Sequence, residues 1–177
     1  DENYHQLVLD THIDFIKAGA EIIVTTTFAT RQKRLKENNL LDKFEYLNQK
    51  AGEIAQTAKR KFPNTYIAGG IPPQNLTYEA DDRDETRITE NFNSQAKALN
   101  PYVDFFYFDV WSSVKEVRCG IKAIKEFKKP YLVGLHISEG TTLPSGEKIK
   151  DIKNIIYELI FKLVYIIREL TENLKVN

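Results

Sequence analysis

Three consecutive hydroxyl side chains, Thr25, Thr26 and Thr27, directly follow the apolar run of residues 22–24. A continuous apolar run of this kind is typical of a strand that is covered on both faces. In parallel α/β folds, ligands bind where the strands end, at the carboxyl edge of the sheet. We therefore expect the three threonines to offer hydroxyl groups to a ligand at that edge.

A carboxylate ends a later apolar run, because Asp109 follows the nearly all-apolar residues 103–108. A carboxylate at the end of a covered strand is costly unless it is paired or hydrogen-bonded. Asp109 is therefore either a ligand-binding group or the acceptor of a structural hydrogen bond. The residues alone leave both interpretations open.

Two more polar residues fall on apolar helix faces. His12 shares a stripe with Val8 and Ile16, where a histidine is either hydrogen-bonded inside the fold or a ligand group. Gln95 lies on the apolar face of the predicted helix 88–99. A buried amide must find hydrogen-bond partners, so Gln95 either clamps neighbouring elements together or reaches toward the site.

The elements that must position these residues are a first helix followed by four strand–helix units. Gly19 is suited to the left-handed conformation that closes a helix, and Ser113 with Glu116 forms a capping box. The recurrence of strands and helices is typical of βα units around a parallel sheet. The predicted strands are 21–27, 65–71, 103–110 and 130–137, and the predicted helices are 4–17, 40–62, 88–99, 114–124 and 149–170.

The last of these helices, 149–170, is long and amphipathic, with a wide apolar stripe. It is predicted to cover the sheet or to contact a partner chain. A membrane surface is the less favoured partner, because the polar face of the helix carries both charge signs.

The composition describes one domain of a soluble α/β protein. The 177 residues include 25 Lys and Arg against 25 Asp and Glu, so nothing attracts the whole chain to nucleic acid or to anionic lipid, and we predict neither as a partner. Cys119 is the single cysteine, which excludes an internal disulfide and favours a reducing, cytoplasmic compartment. It lies off the apolar stripe of its helix, so we expect neither a reactive nor a metal-binding role. The sequence contains no Met, which supports the hypothesis of a truncated piece of a longer chain.

Four segments together resemble the homocysteine S-methyltransferase family. The segment 12–28 is similar to that family's "H-x-x-y-x-x-A-G-A-d-i-i-x-T-n-T-f" motif. The later segments agree in order and spacing over about residues 4–149. They are residues 68–73, similar to a Gly-Pro loop; Gln95 with Leu99 and then Val103 and Asp104; and Phe108, Asp109 and Val110 followed by Ser112, Ser113 and Glu116.

The resemblance implies a TIM barrel that transfers a methyl group from a sulfonium, ammonium or folate-derived donor to homocysteine, as in methionine biosynthesis. It also implies a zinc ion that three cysteines hold and that binds the substrate thiol as a thiolate. Thr25 and Thr27 match two family threonines, while Thr26 stands where Asn is usual. Asp109 stands where a Glu is expected to receive the substrate amino group, and Val110 replaces a Thr.

This sequence also departs from the family's full pattern. A TIM barrel has eight strands, whereas four are predicted here, with a divergent helix over 150–177. One cysteine and the three histidines His5, His12 and His136 make a poor zinc site. We therefore predict no metal ligand and no catalytic residue, and we expect the chain alone to be inactive.

Residues 1–177 are thus expected to form one incomplete domain, a partial TIM-barrel-like (βα)4 parallel sheet with a long C-terminal amphipathic helix. Its predicted ligands are homocysteine and a methyl donor, and its two open sheet edges favour self-association or a completing chain. Two alternatives remain: a non-catalytic half-barrel remnant that acts through protein association, and another α/β domain that binds a small molecule.

Overall fold

The computed structural model describes residues 4–138 and 140–152, and it has the α/β architecture expected from the sequence. Most element bounds lie within three residues of the predicted ones. In chain order the helices and strands are α1 (His5–Lys17), β1 (Ile22–Val24), α2 (Gln32–Glu37), α3 (Phe44–Lys61), β2 (Tyr66–Ile71), α4 (Glu85–Leu99), β3 (Phe105–Trp111), α5 (Val114–Ile124) and β4 (Tyr131–Leu135).

The four strands form one sheet in the order β1-β2-β3-β4. Every neighbouring pair is parallel, with Ile23 opposite Ile67 and Gly69 opposite Phe106 in the register. Sequential order with a helical connection at each step is the arrangement of βα units in a barrel wall. The predicted parallel sheet is therefore confirmed.

Two local signals that were read from the sequence set helix ends as expected. Gly19 adopts φ 104°, and the N–H groups of Gly19 and Ala20 donate to the carbonyls of Ile16 and Phe15. This is the double hydrogen bond that closes a helix with a left-handed residue. At the start of α5, the Ser113 hydroxyl accepts from the Glu116 N–H at 3.1 Å, which is the N-cap half of the predicted capping box, while the Glu116 carboxylate accepts from the Ser112 N–H and the Ser113 hydroxyl.

The core lies between one face of the sheet and helices α3, α4 and α5. Alternate strand residues such as Ile67, Phe106 and Phe108 point to this side and are fully buried. Trp111 joins them, with its ring stacked between Phe92 of α4 and Phe108 at centroid distances of 4.2 and 4.1 Å. Burial of these aromatic rings removes a large apolar area from water and thereby stabilises the domain.

The opposite face of the sheet is open, and this corrects the expectation that residues 22–24 are covered on both faces. Ile22 and Val24 expose 45% and 38% of their surface, and Tyr66 and Leu132 expose 56% and 37%. Only Ile23 of the β1 run is buried. Within the part of the chain that the structure describes, helices cover one face of the sheet, so the two outer residues of the run are exposed although all three are apolar.

Two further expectations concern single segments. Cys119 is buried at 2% exposure within the core cluster, so its predicted position off the apolar stripe is wrong. Residues 149–152 are helical, and the rest of the predicted helix 149–170 lies outside the described residues. No helix among the described residues is long and apolar enough to cross a membrane.

Candidate functional site

A β-bulge follows Asp109 in β3 and determines where Trp111 points. Phe108 pairs with Val133 and Trp111 pairs with Leu135, so two residues of β3 oppose the single residue Gly134 of β4. Val110, the extra residue, has φ 53°, a conformation that a β-branched side chain rarely adopts. The bulge returns Trp111 to the helix side, where its indole N–H donates to the Ile71 carbonyl at 2.8 Å.

Asp109 follows the regular alternation of β3 and lies on the open side of the sheet, at the carboxyl end of the strand. The side chain that the bulge re-aims is that of Trp111. Partial burial raises the pKa of the Asp109 carboxyl, while a hydrogen bond with the Tyr107 side chain lowers it. Asp109 forms no ion pair with any described residue. It is thus a half-buried carboxylate that holds a hydroxyl partner but lacks a positive one.

The hydroxyls of Thr25 and Thr27 are used inside the fold. Thr27 Oγ1 donates to the Gly70 carbonyl at 2.6 Å, and the Gly70 N–H donates to Thr25 Oγ1 at 3.0 Å. The two hydroxyls also lie 2.9 Å apart, and both side chains are buried. They fasten the end of β1 to β2, and Gly70 permits this close approach because a Cβ there would lie 3.3 Å from Thr27 Oγ1.

Thr26, between them, is exposed, and it is the one of the three whose side chain faces solvent. It lies at the same carboxyl edge as Asp109, because β1 and β3 run in parallel on either side of β2. Strands lie about 4.8 Å apart, so two spacings separate β1 and β3 laterally by about 10 Å, and the register places Asp109 about two residues beyond the level of Thr26. A small amino acid could span that gap.

A network of buried amide side chains lies beneath this edge and holds it in place. Of these side chains, only that of Gln95 was predicted from the sequence to be buried. Gln95 Nε2 donates to the Thr27 carbonyl and to Asn48 Oδ1, both at 3.0 Å. Gln95 Oε1 accepts from Gln74 Nε2 at 2.8 Å. Gln95 is therefore the clamp rather than a group that reaches toward ligand. Asn48 lies in α3, and Gln74 lies in the polar loop after β2. Their burial distinguishes them from other polar residues, and the sequence alone does not show it.

The two histidines of interest lie in different places. His12 is buried on α1, where burial lowers its pKa and its Nε2 has no hydrogen-bond partner among the described residues. The expected internal hydrogen bond at that nitrogen is therefore missing. His136 follows β4 at the carboxyl edge, and its ring lies 4.6 Å from that of Tyr78 in the loop after β2. That loop thus reaches across the edge from β2 to β4.

Glu116 is a buried acid behind the site, at 0% exposure. Its Oε2 accepts from the Ser113 hydroxyl at 2.7 Å and from the Ser112 N–H at 3.3 Å, while Oε1 has no partner among the described residues. Burial, reinforced by the nearby Asp81 charge, outweighs these donors and raises the pKa of Glu116 to about 7. Asp81 is itself buried against Arg83, which donates to it through Nε at 2.9 Å.

The described residues do not fit a zinc site of three cysteines. Cys119 lies on α5, on the helix side of the sheet, with its Sγ 3.7 Å from the Glu85 carbonyl. Within residues 4–138 and 140–152, no group of three or more His, Cys, Asp or Glu side chains is placed to hold a metal ion. The chemistry that can be assigned to this edge is recognition of a polar ligand by a carboxylate and hydroxyls.

Comparison with known proteins places this geometry in a family context. A family model described as homocysteine S-methyltransferase matches residues 2–166. S-methylmethionine–homocysteine S-methyltransferase BHMT2 of Mus musculus is 30% identical over 131 residues, covering 73% of this chain and 34% of the mouse protein. Homocysteine S-methyltransferase 2 of Saccharomyces cerevisiae is 25% identical over 176 residues, covering 87% of this chain and 51% of the yeast protein. The chain thus spans a third to a half of the length of these relatives.

The fold has counterparts among solved structures. The metallated form of the homocysteine methyltransferase MmuM from Escherichia coli superposes with a TM-score of 0.77 at 15% identity. The match covers 89% of this chain and 64% of that one. The oxidized form of the same enzyme gives a TM-score of 0.74 at 16% identity. The likeness extends over nearly the whole chain, so the sheet and its helices have the arrangement found in that fold.

Proposed function

The chain belongs to the homocysteine S-methyltransferase family, and we propose that it supplies the part of the fold that grips the amino-acid end of homocysteine while the thiol is methylated. The observation that carries this proposal is Asp109, a carboxylate without a positive partner among the described residues, which strand alternation places on the open side of the carboxyl edge. The ammonium group of an amino acid is the counterion that this position lacks.

In this proposal the polar groups of the edge have separate tasks. Asp109 accepts hydrogen bonds from the substrate ammonium group, and the Tyr107 hydroxyl keeps the carboxylate oriented. Thr26 offers a solvent-facing hydroxyl two strands away, at the carboxyl end of the substrate. Thr25 and Thr27 act through the backbone that they fasten at Gly70. They are binding residues only in the sense that they hold Thr26 in place.

Thiol activation is not assigned to any residue described here. A thiol must lose its proton to become a nucleophile, and Cys119 is the single cysteine that the sequence offers for a metal that would assist this. We therefore expect the purified chain to bind homocysteine without transferring a methyl group to it and without retaining stoichiometric zinc. The reducing, cytoplasmic setting inferred from the single cysteine stays a prediction.

Calorimetric titration with L-homocysteine tests the binding site. Asp109→Asn removes the charge at constant shape, and loss of a hydrogen bond to a charged group costs about 1.5–3 kcal/mol, which corresponds to a tenfold to hundredfold weaker Kd. Asp109→Glu restores the charge and the longer side chain of the family motif, so it should preserve binding. The matched control is Asp14→Asn on the exposed side of α1. Equal affinity of the wild type and Asp109→Asn would remove Asp109 from the site.

A methylation assay with S-methylmethionine, the donor named for the mouse relative, tests the second expectation alongside zinc analysis of the same sample. Turnover by a chain that carries one zinc per molecule would show that the activating group is present after all. Binding without turnover would support the division of tasks described above.

A second function, association with another chain, is favoured by the open sheet. We propose that a completing chain or a second copy covers the face bearing Ile22, Val24, Tyr66 and Leu132. Exposed apolar surface favours association when it adjoins strand edges, and β1 and β4 each have one sheet neighbour within the described residues. Sedimentation velocity should show dimers or larger species at micromolar concentration, and Tyr66→Lys should shift them toward monomer. A wild-type chain that stays monomeric at high concentration would exclude the second copy.

A further inference from the structure

A cleft of about 620 Å³ lies outside the carboxyl edge, between α2, the loop after β2 and the first turns of α4. Its volume is in the range of small-molecule sites. None of the residues assigned above to homocysteine binding lines it. The lining is Gln32, Lys33, Lys36, Glu37, Leu41, Asn75, Arg83, Arg87 and Asn91.

The charges in the cleft are unbalanced, although the chain as a whole is neutral. The lining includes four cationic side chains and one acidic one. Arg83 is neutralised by Asp81, and Glu37 is shared between Lys33 at 4.0 Å and Arg34 at 3.6 Å. The charges of Lys36 and Arg87 remain, since neither side chain has an ion-pair partner among the described residues.

The hydrogen-bonding groups of the cleft, like its unpaired positive charges, favour an anionic ligand. Lys33 Nζ donates to Asn75 Oδ1 at 2.7 Å, and Arg83 donates to Asn91 Oδ1 at 3.1 Å. Because Lys and Arg only donate, these two amides must present their oxygens to the cations. Asn91 Nδ2 then donates to Gln32 Oε1 at 3.0 Å, which fixes the orientation of Gln32 in turn.

Each amide oxygen of the cleft is therefore occupied by a donor of the protein itself. The groups left over are the amide nitrogens of Gln32 and Asn75, the Lys36 ammonium and the Arg87 guanidinium, all of them donors without a partner in the part of the chain that the structure describes. A site whose amide oxygens are used, whose Glu37 carboxylate is shared between two cations and whose remaining donors are free is complementary to oxyanions.

We propose that this cleft binds a small polyanion, a compound that carries at least two phosphate or carboxylate groups. One anionic group meets Arg87, whose planar fork suits bidentate contact, and a second meets Lys36. Gln32 and Asn75 donate between them. The ligand would sit against the loop after β2, which also carries Tyr78 toward His136 at the carboxyl edge.

Calorimetric titration of the full chain at low ionic strength tests this site, with inorganic pyrophosphate and citrate as separate probes that distinguish phosphates from carboxylates. At least one probe should bind, with an affinity that falls as salt is added. Lys36→Gln combined with Arg87→Gln should weaken binding at least tenfold. The control, Lys97→Gln combined with Arg118→Gln, removes the same charge from exposed positions of α4 and α5 outside the cleft and should change the affinity less than twofold.

Gln32→Glu gives an independent reading, because it replaces the free amide nitrogen by a carboxylate oxygen of the same shape while the contact with Asn91 is kept. It should abolish binding and leave the thermal unfolding midpoint within a few degrees of wild type. Absence of heat with both probes would overturn the proposal, and so would equal losses in the cleft variant and its control. Both outcomes are independent of whether the chain binds homocysteine.

Discussion

Replacement of Glu116 by Gln should change how the stability of the domain depends on pH. Two donors, the Ser113 hydroxyl and the Ser112 N–H, favour the carboxylate, as does its place in the first turn of α5. Complete burial and the neighbouring Asp81 favour the neutral acid, and they prevail because the pKa rises from an ordinary 4.5 to about 7. Over that interval the folded protein holds a proton that the unfolded chain has released.

The sign and size of the effect follow from linkage between protonation and folding. The folded state binds more protons between about pH 4.5 and 7, so the free energy of unfolding falls as the pH rises through this window. A tenfold change in proton affinity is worth about 1.4 kcal/mol, so the stability that is present below pH 4.5 and lost by pH 7 is of order 3 kcal/mol. That is a large share of the 5–15 kcal/mol typical of a domain.

The assay is urea unfolding at half-unit steps from pH 4.5 to 8, on wild type and Glu116→Gln. His12 titrates with the opposite sign, because burial lowers its pKa and the fold keeps the ring neutral. Its contribution to the free energy of unfolding therefore rises as the pH increases toward the ordinary pKa of 6.5, and it is constant above that. The difference between variant and wild type cancels this term. The free energy of unfolding of Glu116→Gln should rise relative to that of wild type by about 3 kcal/mol from pH 4.5 to 7, and the difference should then stay constant.

Glu90→Gln, on the exposed surface of α4, serves as the control and should leave the pH profile unchanged. A flat difference between Glu116→Gln and wild type would mean that the carboxyl titrates normally. A difference that grows toward acid pH would mean that the cap donors and the helix terminus dominate over burial, and the reasoning would be wrong.

Two packing predictions complete the set. Thr27→Val keeps the shape of the side chain but leaves the Gly70 carbonyl without its 2.6 Å donor. Urea unfolding should therefore show that the free energy of unfolding falls by about 1–3 kcal/mol. The control Thr26→Val, at an exposed position, should stay within about 0.5 kcal/mol of wild type. Gly120→Ala places a methyl group 2.0 Å from the Trp111 ring, which is held between Phe92 and Phe108. The overpacking cost of about 1–3 kcal/mol should exceed the roughly 1 kcal/mol that alanine gains in a helix, and an unchanged or higher unfolding midpoint would contradict this.

The order and direction of the strands could be predicted from the sequence because they depend on local patterns. Apolar runs, Gly19 at a helix end and the Ser113 capping box each act within a few residues of themselves. The bulge at Val110 could not be predicted, since it depends on which residue of β4 faces it. Without the bulge, strict alternation would have placed Trp111 on the open side with Asp109, and the strand was accordingly predicted to end one residue early.

The three threonines show a second reason why the sequence alone did not predict the site. Their position at a strand end was predicted, but which hydroxyls are free depends on Gly70, more than 40 residues away in the chain. The same holds for Gln95, whose partner Thr27 is 68 residues distant. Polar residues of equal local appearance were thus divided into structural and available groups by contacts that no short window contains.

That division bears on how the carboxyl edge could work. The buried groups at this edge form hydrogen bonds with one another. Thr27 bonds to Gly70, Gln95 bonds to Thr27, and Gln74 bonds to Gln95. They hold the ends of β1 and β2 and the beginning of the following loop in one arrangement before any ligand arrives. A site that is ordered in advance loses little entropy on binding, so the few groups left facing solvent, above all Asp109, can direct their full interaction to the ligand.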